Sequence, residues 1–255
     1  MHSLSIVIPA FNEEARLPQL LRELEGDAAQ TVGDCGFDLT EAVIVDDGST
    51  DRTAAILTAV GERQGIVRPL LGSGHRGKGG AVATGLRAAQ GEYTLLADVD
   101  LSTPLTDLAQ LGEAIRGGAD IAIGSRDVEG SRVEAPVHRR QGGRLFNAAV
   151  RVLTGLPLRD TQNGFKLLPT AIGRELTAEQ ISEGLAYDVE LLVRAQAAGL
   201  RIAEVPVTYL HDENSRVQMA TASPRMLLDV AHIAVRVRGG RQSRSTPRSA
   251  AADRL

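Results

Sequence analysis

At 255 residues, with 43% apolar and 24% charged side chains, the chain has the balance of one globular α/β domain with at most a small appendage, well away from disordered or fibrous compositions. A net charge of −4, 3% aromatic residues and no Trp argue against nucleic acid as a partner, because neither a basic surface nor interleaved stacking residues are evident. The single cysteine, Cys35, excludes an intrachain disulfide and a cysteine-rich metal site, which fits a cytosolic setting. The first segment, MHSLSIVIPAFNEE, lacks a basic n-region and its apolar run is only strand-length, so no signal peptide is expected. No run reaches the roughly 18 apolar residues of a membrane span. Strands are predicted at LSIVI (4–8), AVIVD (42–46), VRPLL (67–71), YTLLAD (93–98) and DIAIG (120–124). Leu17, Leu20, Leu21 and Leu24 recur at helical spacing between the first two, and comparable helices are expected after strands two, three and four. Farther on, Phe146, Ala149, Val150 and Leu153 share a helical face, TQNGFKLL reads as a turn and strand, and a helix from about Tyr187 to Ala198 precedes a last strand in RIAEVPV. A final helix is expected over 224–238. The segment 239–255, rich in Gly, Ser, Pro and Arg, reads as a disordered basic tail outside a domain of residues 1–238.

Strands alternating with helices predict a mainly parallel sheet whose strands end on one edge, where ligands bind in open α/β sheets. The chemistry-bearing residues follow those strand ends. Strand one runs into PAFNEE, strand two into DDGSTD and strand four into DVD. Asp98 and Asp100, either side of Val99, can offer hard oxygen ligands to Mg²⁺ or Mn²⁺, although a lone DxD also serves as a solvated acidic turn. Asp46 or Asp47 can accept from a base or ribose, while Ser49, Thr50 or Asp51 can cap the next helix. GSGHRGK (72–78) approaches a phosphate-binding loop, but Gly79 stands where the metal-ligating Ser or Thr belongs, so an ATPase is disfavoured. What remains is a cationic loop at a helix start, with Lys78 and backbone N–H groups available to a diphosphate. No GxGxxG follows strand one, which leaves hydride transfer unsupported.

Taken in order, IVIPAFNEE, VIVDDGSTD, RGKGGAV, ADVDLSTP, GSR and DTQNGFKLL resemble the family 2 glycosyltransferases. Within them the likeness is to polyprenyl-phosphate sugar synthases, above all the dolichyl-phosphate β-glucosyltransferases, with the mannose synthases further away. It spans about residues 4–238, and YDVELL with RIAEVPV sharpens it. The resemblance implies a GT-A fold, a mainly parallel central sheet with helices on both faces. It also implies that Pro9, Ala10, Asn12 and Glu13, with Asp46 or Asp47, line the nucleoside and ribose, and that Lys78 lies near the donor. Asp98, Val99 and Asp100 would meet the diphosphate, the two carboxylates binding Mg²⁺ or Mn²⁺ with Ser102 close by. Ser125 and Arg126 match the segment beside the acceptor phosphate, and Asp160, Gln162 and Lys166 border the transfer site. The membrane anchor or spans of some relatives are not seen in this sequence, and Ser102 stands where mannosyl relatives often have Gln.

The reaction so implied is inverting transfer from a nucleotide-sugar donor, UDP-glucose before GDP-mannose or a UDP-N-acetylhexosamine, with Asp98, Asp100, Arg126 and Asp160 as the catalytic set. A phosphate acceptor is already anionic near neutral pH and needs no strong base, whereas a saccharide hydroxyl needs one, for which Asp160 and Asp188 are the candidates. Seven arginines from Arg126 to Arg159, Arg139 and Arg140 among them, favour an anionic acceptor such as a polyprenyl phosphate. A non-catalytic binding module has less need of the Asp98 and Asp100 pair. Met226, Val230, Ile233 and Val237 recur on one face of the last helix, with Arg225, Arg236, Arg238, Arg241 and Arg244 nearby. That pattern predicts a peripheral contact with an anionic membrane, at the inner face of the cytoplasmic membrane, although a core-packing helix shares it.

Overall fold

The computed structural model describes residues 1–63, 65–210 and 224–240. In chain order the first part comprises β1 (His2–Ala10), α1 (Leu17–Glu25), α2 (Ala28–Asp34), β2 (Phe37–Asp46), α3 (Thr53–Gly61), β3 (Val67–Leu71), α4 (Lys78–Ala88) and β4 (Tyr93–Leu96). A 3₁₀ turn (Leu105–Asp107), α5 (Leu108–Arg116), β5 (Ile121–Ser125), β6 (Arg132–Glu134) and α6 (Val137–Thr154) follow. The chain continues through β7 (Lys166–Pro169), α7 (Thr170–Ala178), α8 (Tyr187–Ala197), β8 (Ile202–Pro206), β9 (Thr208–Leu210) and α9 (Pro224–Gly240).

Seven strands form one sheet in the order β3-β2-β1-β4-β7-β5-β8. All neighbours run parallel except β7, which is antiparallel to both β4 and β5. The sheet is therefore mainly parallel, and TQNGFKLL supplies its one reversed strand. Pro69 is accommodated because β3 is an edge strand, where a missing N–H costs no ladder bond. Along β1 and β2 the side chains alternate between two cores. Ile6, Ile8, Ala42 and Ile44 face α1, α2 and α5, while Val7, Val43 and Val45 face the layer of α4, α6, α7, α8 and α9. Leu17, Leu20, Leu21 and Leu24 of α1 are buried, as their spacing predicts, each contributing about 1.5–3 kcal/mol.

Three expectations change. The segment between the first two strands holds two helices, because the chain turns at Gly26, where a Cβ would lie 2.8 Å from the Arg22 carbonyl oxygen. Strand β2 starts at Phe37, well before the apolar run, because Thr40 donates to the Leu4 carbonyl and buried Glu41 is satisfied by Ser5 and Arg68. The third concerns α9. Met226, Val230 and Ile233 are buried in the second core, and Val237 packs against it, so that apolar face is internal. Helix α7 and the small parallel sheet of β6 and β9 carry no strong sequence signal. Gly239 and Gly240 fall within α9, while 241–255, with Arg241 and Arg244, lies outside the described residues.

Candidate active site

The parallel strands β1, β2 and β4 end together and present three loops to one edge. Asn12 joins the first two. Its Oδ1 accepts the backbone N–H groups of Thr50 (2.8 Å) and Asp51 (3.3 Å) and the Thr50 hydroxyl (3.3 Å), while its own N–H donates to Ser49 Oγ (2.8 Å). The residue takes a left-handed φ of 55°, which Asn tolerates better than most. Asp47 joins the second loop to the glycine-rich one. Its carboxylate accepts the N–H groups of Arg76 (2.9 Å) and Gly77 (2.7 Å) and pairs with His75 Nδ1 (2.8 Å). Those two N–H groups are therefore spent on Asp47. Gly48, at φ 74°, permits the approach, since a Cβ there would lie 2.5 Å from the Gly74 carbonyl carbon. Asp46, buried beside it, accepts the Ser49 N–H at 3.3 Å. His75 stacks on Phe11 with ring centroids 4.0 Å apart, an aromatic pair at the ligand edge that no sequence motif signalled.

A cavity of about 170 Å³ lies where β1, β4 and the 160–165 segment meet. Of the residues singled out in the sequence, Pro9, Glu13, Lys78, Asp98, Val99, Asp100, Ser102, Arg126, Gln162 and Asp188 line it. Lys78 Nζ lies 2.6 Å from Asp98 Oδ1 and 5.8 Å from the Tyr187 ring centroid. Desolvation pushes the Asp98 pKa up, but Lys78 and more distant Lys166 outweigh it, and the carboxyl ends below its ordinary range. The same pairing raises Lys78 well above an ordinary lysine despite its own desolvation. Gly164 backs directly onto Asp98, and a Cβ there would overlap the carboxylate. Asp100 Oδ1 accepts the Ser102 N–H (3.0 Å), and Leu101 between them sits at φ 42°. Among the described residues no three His, Cys, Asp or Glu converge on one point. Two hard carboxylates on a cavity wall nevertheless fit Mg²⁺ or Mn²⁺, which characteristically keeps water and takes phosphate oxygens for its other positions.

The opposite wall is built from ion pairs. Asp160, 1% exposed, takes Arg126 in a two-pronged pair (Nε 2.7 Å, Nη2 2.9 Å) and also accepts the Arg126 N–H (3.0 Å). Desolvation opposes the charge on Asp160, but Arg126 overrides it and holds the carboxyl low, while Arg126 is itself raised. Glu204 fixes the loop by accepting the Arg159 and Asp160 N–H groups. Tyr209, on β9, lies under the guanidinium at 5.1 Å and completes the wall, a contact without sequence signal. Behind the cavity, fully buried Lys166 pairs with Asp188 and donates to the Asn163 carbonyl. Lys166 thus acts on the cavity through charge. Ser125 is also fully buried, its Oγ accepting the Asp127 N–H, and it does not reach the cavity. Arg140 is exposed on α6 and does not line the cavity, and the side chain of Arg139 lies outside the described residues.

The family model described as glycosyl transferase family 2 matches residues 5–175. A dolichyl-phosphate β-glucosyltransferase of Dictyostelium discoideum is 32% identical over 91% of this chain and 74% of its own length. The mouse protein of the same name is 34% identical over 84% and 69%. Among solved structures, glucosyl-3-phosphoglycerate synthase from Mycobacterium tuberculosis in complex with Mn²⁺ and UDP-glucose superposes with a TM-score of 0.63 at 21% identity, over 93% of this chain and 79% of that one. This last likeness is one of fold.

Proposed function

The chain belongs to glycosyl transferase family 2, and from that premise we propose that it transfers glucose from UDP-glucose to a polyprenyl phosphate of the dolichyl type, with inversion, at the cytoplasmic face of a membrane. The observation that carries the acceptor assignment is the charge balance of the cavity. Glu13, Asp98, Asp160 and Asp188 are each paired with a cation, by Arg16, Lys78, Arg126 and Lys166 respectively. A carboxylate held by a guanidinium in a bidentate pair is a poor proton acceptor, so Asp160 does not suit the role of general base that a sugar hydroxyl would need. A phosphate monoester, whose second ionisation lies near pH 6, brings its own negative charge. Arg126 lines the same cavity and would attract it.

On this reading Pro9, Ala10 and Phe11 form the nucleoside side, and Asn12 and Asp47 act by holding the surrounding loops. Phe11 offers a face for the base, which requires His75 to move aside or to stack in series with it. A divalent cation held by Asp98 and Asp100 would supply positive charge against the departing nucleoside diphosphate. Lys78 adds a fixed positive charge on the same side. The acceptor phosphate oxygen attacks the anomeric carbon from the Arg126 side as the bond to the diphosphate breaks, and an α-linked donor gives a β-linked product. No helix among the described residues is long and apolar enough to cross a membrane.

The test is transfer of labelled glucose from UDP-glucose to prenyl phosphates with Mn²⁺ or Mg²⁺, the product anomer being assigned by NMR. The rate should rise through the second phosphate ionisation near pH 6 and then level. A preference for GDP-mannose, or transfer only to saccharide hydroxyls, would replace this assignment.

A further inference from the structure

We propose that the outward face shared by α6 and α9 is the surface on which the protein lies against an anionic bilayer, its apolar side chains entering the headgroup region and its arginines meeting lipid phosphates. Four large apolar side chains stand out on these two helices: Leu145 (75% exposed) and Val152 (85%) on α6, and Leu228 (71%) and Val235 (73%) on α9. Each pair is spaced i, i+7, so each marks one stripe along its helix. Both stripes oppose the buried stripes, formed by Phe146 and Val150 in α6 and by Met226, Val230 and Ile233 in α9. The helices pack against one another in one layer, so their outer stripes belong to the same side of the molecule. Scattered exposed apolar residues are ordinary, but paired stripes on adjoining helices form a patch.

The charge of this patch selects its partner. The two helices carry seven arginines and one acidic residue, Asp229, within a chain of net charge −4. Arg140, Arg151, Arg225 and Arg236 are exposed beside the apolar stripes. A second copy of the chain docking here through a twofold axis would lay arginine against arginine. An anionic leaflet removes that conflict and accepts both the charge and the apolar side chains.

The inner sides of the helices that bear the patch reach the cavity. Gln162, which lines it, directs Nε2 toward Met226 Sδ of α9 at 3.7 Å. On α6, Arg144 pairs at 2.7 Å with Asp127, the neighbour of Arg126. A bilayer against α6 and α9 would therefore meet the protein beside the wall assigned to the acceptor phosphate. The placement rests on the reading of the acceptor as a membrane lipid, while the surface can be measured without it.

The experiment uses the full chain and two variants, Val152→Glu/Val235→Glu and the same with Leu145→Glu/Leu228→Glu added. Circular dichroism and the thermal shift with UDP-glucose and Mn²⁺ serve as controls of fold and donor binding. Wild type should co-sediment with phosphatidylglycerol vesicles more than with phosphatidylcholine vesicles, and less at high salt. The folded variants should bind the anionic vesicles about tenfold less, or weaker still, because the substituted side chains no longer insert. Transfer into long-chain polyprenyl phosphate in vesicles should fall in parallel, with transfer to a short water-soluble prenyl phosphate unchanged. Equal sedimentation of variants and wild type, or no wild-type sedimentation, would overturn the proposal. So would a wild-type dimer in light scattering that the variants convert to monomers without any vesicle effect, which would assign the face to a second copy. If the vesicle difference holds but no prenyl phosphate accepts sugar, the surface stands and the acceptor reading falls. Should the four-site variant fail to fold, the two-site variant decides by the same measurements.

Discussion

At the cavity, single side chains are constrained by their immediate neighbours, and the constraints differ in what they cost to remove. Asp100→Ala leaves the core untouched and takes away one of the two hard ligands proposed for the cation, so turnover should drop ~10²- to 10³-fold with the melting temperature near that of wild type. Gly164→Ala tests the same centre from behind, because its new methyl overlaps Asp98. Steady-state kinetics over a Mn²⁺ series should show a raised metal requirement in both variants, and wild-type metal dependence in either would remove that carboxylate from the metal site. Asp160 is governed by stability instead. Asp160→Asn leaves Arg126 without its partner, and because Arg126 keeps 30% side-chain exposure the cost should be about 2 kcal/mol, below the roughly 3–5 kcal/mol of a fully buried pair. The fold holds the Asp160 carboxyl below its ordinary range, so its stabilisation is complete above the unfolded-state value of about pH 4 and is lost as pH falls through the lower native value. Urea unfolding of wild type and Asp160→Asn should therefore differ at pH 7 and converge toward pH 2, and a difference constant with pH would refute the linkage.

Loops and helices show which parts of this arrangement the sequence could announce. The strand-end position of Asp46 and the leucine stripe of α1 were legible because a buried strand or an amphipathic helix repeats one physical pattern over many residues, whereas the expected strand 93–98 stops at Leu96 and leaves Asp98 in the loop just after β4. Contacts between distant segments were not legible. Nothing near Tyr209 indicates that β9 will pair with β6 and bring that ring under Arg126, and nothing near Glu204 announces its hold on the 159–160 backbone. The α9 pattern fitted two environments equally, and only packing shows that Met226, Val230 and Ile233 face inward. Asn12 shows a similar limit. Its motif suggested contact with the nucleoside, but the structure assigns its side-chain oxygen to three donors of the DDGSTD loop. Asn12→Ala should thus cost about 2–3 kcal/mol, from the unmet donors and the left-handed φ. Donor KM should rise more than kcat falls, since the loops lose their mutual position while Asp98 and Asp100 stay. Asn12→Asp keeps the accepting oxygen and should restore most of both quantities. If Asp is as damaging as Ala, the amide has a direct role that the loop contacts do not explain.

Across the whole molecule, the edge of the sheet divides the work between its strands. On the proposed reading β1 and β2 lead into the nucleoside side and the loop after β4 carries the metal carboxylates, while Lys78 from the start of α4 reaches across to Asp98. A complete donor with its cation would bridge these segments, whereas a nucleoside alone would touch one side and free cation the other. Stabilisation by a ligand that binds only the folded state reaches about 2.7 kcal/mol at a hundredfold excess over Kd. For a chain of this size that corresponds to a rise in Tm of roughly 5–10 °C. We therefore expect thermal unfolding to show a shift of that order with UDP-glucose and Mn²⁺ together, and a clearly smaller one with UDP-glucose and a chelator, with Mn²⁺ alone or with uridine and Mn²⁺. GDP-mannose with Mn²⁺ should give less than the uridine donor at equal concentration. In Asp100→Ala the donor-dependent shift should fall to the chelator level. If the full shift survives chelation, donor binding does not run through the metal pair, and a larger shift with GDP-mannose would reassign the sugar while leaving the division of the sheet edge intact.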